Sequence, residues 1–263
     1  MNHESVLFEE LRPDQYIQRI NACPIAYLPL GTLEWHGLHL PLGADGLQSR
    51  GVMVKIAERV GGIVLPMLFL GPDNVLFDYN NDYWGMDYWS FDEGKPQQLE
   101  GSAYKISAGL YSNILHAIMS NMKRSGFKAV VGHGHGPSTG QFAMHNEIFE
   151  KSYGIKCYTL WELGLNGDEG IQTDHAAFNE TSIMLGLHPD LVDMSLFKDG
   201  ETPVGVSGTD PRGNATHQTG INIIEKNVAE ISEKLLQIVD TLKSPNRCMD
   251  YKNVKNLIKP YIK

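Results

Sequence analysis

Cysteine is scarce in this chain of 263 residues. Cys23, Cys157 and Cys248 lie far apart and form no close pair, which leaves no framework for a zinc ribbon or a disulfide scaffold and reads as buried or incidental thiols. Positive charge is also short. Against 22 Lys and Arg stand 31 Asp and Glu, a formal net charge of −9. Binding to phosphate backbones leans on clustered cations, so this balance argues against nucleic acid and for a small-molecule substrate. No apolar run approaches the roughly 20 residues that span a bilayer, so no membrane partner is expected. The opening Met1-Asn2-His3-Glu4-Ser5 has no basic stretch leading into an apolar core, and the cytoplasm is the default compartment. Missing too are linkers, shifts of composition, internal repeats and low-complexity tracts. The expectation is therefore one large α/β domain over residues 1–263.

What is present alternates between strand and helix. Ile25 to Leu30 is an apolar run closed by Gly31, which predicts a buried strand. Val52, Ile56 and Val60 recur at four-residue spacing between Gly46 and Val60, predicting an amphipathic helix with Asp45 at its mouth. Ile63 to Leu70 predicts a second strand that Pro66 weakens. Leu110, Ile114, Ala117, Ile118 and Met122 mark a helix ending at Gly126, after which Phe127 to Val131 predicts a strand running into a turn, Gly132-His133-Gly134-His135-Gly136-Pro137. Ile155 to Leu160 is a further strand, Thr181 to Leu187 a short helix, and Ile221 to Ile238 a long amphipathic one before a Lys-rich tail. Residues 73–100 mix aromatic rings with acids and predict no regular element; an insertion of that length serves as a lid or a subunit contact. The alternation predicts a mostly parallel sheet covered by helices on both faces, with ligands beyond the strands' carboxyl ends.

Three clusters carry chemistry. Glu34 and His36 are two residues apart, so in an extended chain they leave the same face, and Asp45 follows at the start of a helix. Two carboxylates and an imidazole at a strand end suit divalent zinc or manganese, and one carboxylate can bridge two ions. Spacing alone equally allows Asp45 as a helix cap, Glu34 as the partner of a cation and His36 and His39 as ordinary loop histidines. His133 and His135 repeat the two-residue spacing in a glycine-rich turn, where a metal can approach the backbone. In the third cluster His175 stands beside Asp174, a pairing that suits general acid or base work, with Glu180 about one helical turn on; a capped helix start is the alternative.

Taken together, Leu28-Pro29-Leu30-Gly31-Thr32-Leu33-Glu34-Trp35-His36-Gly37-Leu38-His39-Leu40-Pro41-Leu42-Gly43-Ala44-Asp45 resembles the creatininase signature P-x-G-x-x-E-x-H-G-x-H-L-P-x-x-x-D. Gly126-Phe127-Lys128 and the Gly-His turn resemble the family's G-F-(R/K) strand before N-G-H-G-G-N. His175 to Ser182 resembles H-A-G-x-x-E-T-S, and Gly208 to Pro211 resembles a G-D-P element, so the likeness runs from about residue 25 to 240. It implies a three-layer α/β/α sandwich, assembled into homo-oligomers such as hexamers, with two divalent ions, zinc or manganese, per subunit. Carried over residue by residue, Glu34 and His36 would each bind one ion, Asp45 would bridge both, and a histidine of the turn and Glu180 would join them. Counting from the strand start selects His135; His133 is the other register, because it would place His135 where creatininase carries a carboxylate ligand.

By this resemblance the chain is a metal-dependent amidohydrolase that cleaves a C–N bond in a small cyclic or formylated amide. His175, oriented by Asp174, would protonate the leaving nitrogen, and Trp161 would shape the substrate pocket. Ala177 and Phe178 stand where the family more often has a glycine and an acidic residue, so creatinine need not be the substrate. Rival readings are a metal-dependent ring opening of a cyclic keto-sugar or lactone, and a non-catalytic metal-binding subunit.

Overall fold

Helix α1 (Pro13–Ala22) opens the chain with proline in its first turn, where the missing N–H costs nothing. It leads into β1 (Ile25–Leu30), whose six residues are all buried. The structure is a computed structural model that describes residues 5–77, 82–88, 90–91, 95–96, 99–198, 200–201 and 203–242. Helix α2 (Ala44–Val60) follows, starting two residues earlier than its apolar spacing shows, and places Asp45 in its first turn. Strand β2 is only Ile63–Val64. Pro66 cannot donate to a ladder, but the chain stays beside β1 through the N–H of Leu68 on Pro29 O (3.0 Å) and that of Gly31 on Leu68 O (2.8 Å).

The described part of residues 73–100 holds regular elements that the sequence expectation lacked. Val75–Phe77 (β3) pairs antiparallel with Asp82–Trp84 (β4), a 3-10 turn spans Gly85–Tyr88, and Ser90–Phe91 (β5) pairs with Lys95–Pro96 (β6). Branched and aromatic residues favour pleated pairing, which accounts for β strands where acids and rings alternate. Tyr79, Trp89, Asp78, Asp92 and Glu93 of that insertion, and the Lys-rich tail with Cys248, lie outside the described residues.

Helix α3 (Ala108–Ser125) is capped by the Ser107 side chain and closed by Gly126 in the left-handed region. Strand β7 (Ala129–Gly134) then runs three residues further than predicted, so Gly132 and His133 belong to a strand rather than a turn. Helices α4 (Gly136–Met144) and α5 (Asn146–Tyr153), strand β8 (Lys156–Tyr158) and the short helix α6 (Leu160–Leu163) follow, then α7 (Phe178–Leu187) and the long α8 (His217–Leu242).

The four longer-range strands form one parallel sheet in the order β2-β1-β7-β8. Alternation along it separates two cores. Tyr27 and Val131 point to one face, against α2, α7 and α8; Ala26, Leu28 and Val130 point to the other, against α1, α3, α4 and α5. Helices therefore cover both faces, as the expected α/β/α sandwich requires. Among the described residues no helix is long and apolar enough to cross a membrane.

Candidate metal centre

Three of the four parallel strands, β2, β1 and β7, lead into site side chains beyond their carboxyl ends. After β1 the chain loops through Glu34, whose N–H donates to Leu42 O (3.0 Å), and this closes the loop carrying His36. The His36 ring is pinned at Nδ1 by Glu34 O (3.0 Å), leaving Nε2 to face Asp45 Oδ2 at 3.5 Å and Glu180 Oε2 at 3.7 Å. Asp45 comes from the first turn of α2 and Glu180 from that of α7. Beyond β7, His135 lies just ahead of α4. Its Nδ1 pairs with Ser138 Oγ (3.0 Å), and its Nε2 faces Glu34 Oε2 at 3.6 Å and Asp73 Oδ1 at 3.8 Å.

Donor atoms therefore converge in mixed groups: His36 with Asp45 and Glu180, Glu34 with Asp73 and His135, and Glu34 with His36 and His175. Glu34 and His36 are each shared between two of these groups, whereas the resemblance implied Asp45 as the bridge. Asp73 was not singled out in the sequence at all. It follows the proline-broken strand β2 in Gly71-Pro72-Asp73-Asn74, which reads as a plain turn; the one available signal was its place after a parallel strand.

Divalent cations fit this arrangement. Four carboxylates, Glu34, Asp45, Asp73 and Glu180, sit with at most 7% of each side chain exposed. Like charges that close are costly unless countered. Burial, with Asp73 and Asp45 nearby and against the pull of His36, raises Glu34 to about 8; burial and Asp45 raise Glu180 as well. Burial alone would keep His36 neutral, but Asp45, Glu180 and Glu34 outweigh it and push its pKa up to about 10. A proton there takes the part of a cation. His36 Nε2 and Asp45 Oδ2 are buried without a hydrogen-bond partner, and their 3.5 Å separation exceeds the about 2.7–3.2 Å of a good N–H···O bond. Bonds of about 2.0–2.2 Å to a tetrahedral ion would set donors about 3.3–3.6 Å apart. The 3.5–3.8 Å spacings are close to that range.

Three sequence expectations need correction. His133 belongs to none of the converging groups; it is fully buried on β7 with its ring edge-on to Trp161 at 5.0 Å. The cause is the longer strand, whose alternation turns His133 into the α2 face while His135 follows the strand's end. Burial lowers the His133 pKa to about 3, a neutral packed ring. Asp174 does not orient His175. Its Oδ2 accepts the Asn179 N–H (2.7 Å) and its Oδ1 that of Glu180 (3.1 Å), so it caps α7 and steadies Glu180. His175 exchanges backbone hydrogen bonds with Ser207 in extended conformation, which sends neighbouring side chains to opposite sides. Its ring pairs instead through Nε2 with Trp35 O (2.7 Å), and burial, helped by His36, lowers its pKa to about 3. His39, offered as an ordinary loop histidine, is a buried ring: Nε2 pairs with Thr181 Oγ1 at 2.8 Å, and Nδ1 has no hydrogen-bond partner.

A G-x-S-x-G pattern of serine hydrolases, expected to be absent, is spelled by Gly136-Pro137-Ser138-Thr139-Gly140. Here Ser138 is fully buried inside helix α4 rather than exposed on a sharp strand-to-helix turn, so it orients His135 and is no nucleophile.

The centre opens into a pocket of about 560 Å³, bordered by Trp161, Gln172, Asp174, His175, Ser207 and Met86. Trp161 is held by its Nε1–H on the carbonyls of Ile171 and Gln172 (3.1 and 3.2 Å). Gln172 in turn donates to Asp45 O (3.0 Å).

Comparison with known proteins adds a third line of evidence. The family model described as creatinine amidohydrolase matches residues 9–80 and 94–235. A creatinine amidohydrolase of Pseudomonas putida is 27% identical over 217 residues, which cover 74% of this chain and 77% of its own. A zinc–zinc form of a creatininase variant superposes with a TM-score of 0.69 at 21% identity, covering 90% of this chain and 99% of its own. A manganese form does so with the same score at 22% identity and the same coverage. At such identities these two structures speak for the fold alone.

Proposed function

The chain belongs to the creatininase (creatinine amidohydrolase) family, and from that premise we propose that it is a metal-dependent amidohydrolase cleaving a C–N bond in a small cyclic or formylated amide. The observation that carries this reading is the buried convergence of carboxylates and imidazoles at the mouth of one pocket. In it, His36, Asp45 and Glu180 hold one divalent ion, and Glu34 and His135 take part in holding a second, zinc or manganese. Bound ions would polarise a substrate carbonyl and make water acidic enough to attack near neutral pH.

The chain's own groups do the rest. Glu34 O and Ser138 Oγ each fix one ring nitrogen of His36 and His135, so the other nitrogen of each ring presents its lone pair inward. Asp174 holds Glu180 by capping α7. His175, neutral and donating from Nε2 to Trp35 O, keeps its lone pair at Nδ1. With a pKa near 3 that atom stays unprotonated at neutral pH and serves as a hydrogen-bond acceptor that orients the attacking water. Trp161 lines the pocket.

Among the described residues no Lys or Arg lines the pocket. An anionic substrate group would find no cationic side chain there, which favours a neutral amide, and the volume suits a small molecule. A homo-oligomer belongs to the same reading, with exposed Leu38, Leu42 and Tyr104 as candidate contact residues. The test is a screen of the metal-loaded protein against cyclic amides, formamides, short peptides, ring ketones and lactones. Metal-dependent release of an amine or of formate from amides is expected. Turnover of ketones or lactones alone would overturn the amide reading.

A further inference from the structure

Of the signature residues, Glu34 is the one that groups closely with His135. Glu34 Oε2 and His135 Nε2 face one another at 3.6 Å, but Asp45 and Glu180 group with His36 instead. A carboxylate from outside the signature joins Glu34 and His135. Asp73 Oδ1 lies 3.8 Å from the same His135 Nε2, nearly buried, on a segment that the sheet carries to this point through the Leu68 and Gly31 hydrogen bonds with the β1 chain.

The β3–β4 hairpin is built around that carboxylate. The Asn74 N–H donates to Asp73 Oδ1 (2.7 Å), and Gly85 N–H donates to Asn74 O (2.9 Å), so the hairpin's far end folds back over its start. The next amide, Met86 N–H, donates to Glu34 Oε1 at 3.2 Å. Gly85 itself has φ +51°, and a Cβ there would meet Glu34 Oε1 and Asp73 Oδ2 at once, at 2.3 and 2.4 Å. Only a residue without a side chain lets one backbone press against both carboxylates, and its left-handed φ also favours glycine. The Met86 amide takes Oε1 of Glu34 and leaves Oε2 toward His135, while Asp73 keeps Oδ2 against Gly85 and turns Oδ1, which also accepts the Asn74 N–H, toward His135.

We propose that Asp73 is the third protein ligand, with Glu34 and His135, of the second ion, and that Gly85 and Met86 set the spacing of the two carboxylates. This rests on the two-ion reading above and assigns its least furnished position. Two carboxylates and one imidazole then stand at each ion, and each set of ligands balances a divalent charge.

The test is metal content per chain by elemental analysis, with affinities from competition against a chromophoric chelator, for zinc-loaded wild type, Asp73→Asn and Gly85→Ala. Wild type is expected to hold two ions. Asp73→Asn should keep one tightly and bind the other at least ten-fold more weakly, and Gly85→Ala, which removes no ligand, should weaken the same ion. Circular dichroism checks that each variant is folded, and Gly85→Ala keeps the question answerable if Asp73→Asn is not. Two ions at wild-type affinity in Asp73→Asn, or loss of both together, would overturn the assignment. A wild type that binds no ion would instead sink the two-ion reading itself.

Discussion

At the scale of residues, the site depends on side chains that never touch the substrate. Ser138 is one. Ser138→Ala frees Nδ1 of His135 and should weaken one of the two ions about 10–100-fold, the usual effect of losing an orienting partner, measured by chelator competition. A Ser138 nucleophile would instead lose turnover with metal binding intact. Asp174 is another. Asp174→Ala uncaps α7 and should cost about 1–2 kcal/mol in denaturant unfolding. The sequence made Glu34, His36 and Asp45 legible because their spacing is local, set within one loop and one helix start. Asp73 was illegible because its position depends on which strand its turn follows and how a distant hairpin folds back on it. His133 and His135 were indistinguishable by type; two residues apart on a strand they share a face, and only the end of β7 between them separates their fates.

Among the elements, α7 matters most, since it carries Glu180 and packs along α8. The two helices cross so closely that a Cβ at Gly220 would fall 1.8 Å from Ser182 O and 2.9 Å from Gly186 N. Gly220→Ala should therefore force the pair apart, at about 1–3 kcal/mol, and loosen the ion at Glu180; a thermal melt and a metal titration report the two effects separately. Leu235→Ala, buried in the same core but far along α8, should lose about 2–5 kcal/mol and leave metal content unchanged. Long amphipathic elements were readable from apolar spacing, and α2, α3 and α8 appear where Val52, Ile114 and Ile231 place them, although α3 buries Tyr111, Leu115 and Met119 rather than the stripe read from the sequence. The end of β7 was missed because glycines at 132 and 134 look like a turn, although here they sit in the sheet, Gly132 against the Phe142 ring. The β3–β4 pair was hidden by its acids.

For the whole molecule, four buried carboxylates at one end of the sheet make stability depend on cations. Stripping divalent ions should lower the melting temperature, and restoring zinc should raise it by mass action, the stabilisation being about 2.7 kcal/mol at a hundred times the dissociation constant. A melt insensitive to chelator would contradict that dependence. Exposed Leu38, Leu42 and Tyr104 lead to a second expectation, a mass in solution several times that of one chain by light scattering. The most direct test of a two-ion hydrolase is the metal content of purified wild type against a Glu34→Ala, His36→Ala double variant. Two divalent ions per chain, falling well below one in the variant, is the expected result; the same metal content in both proteins would contradict it.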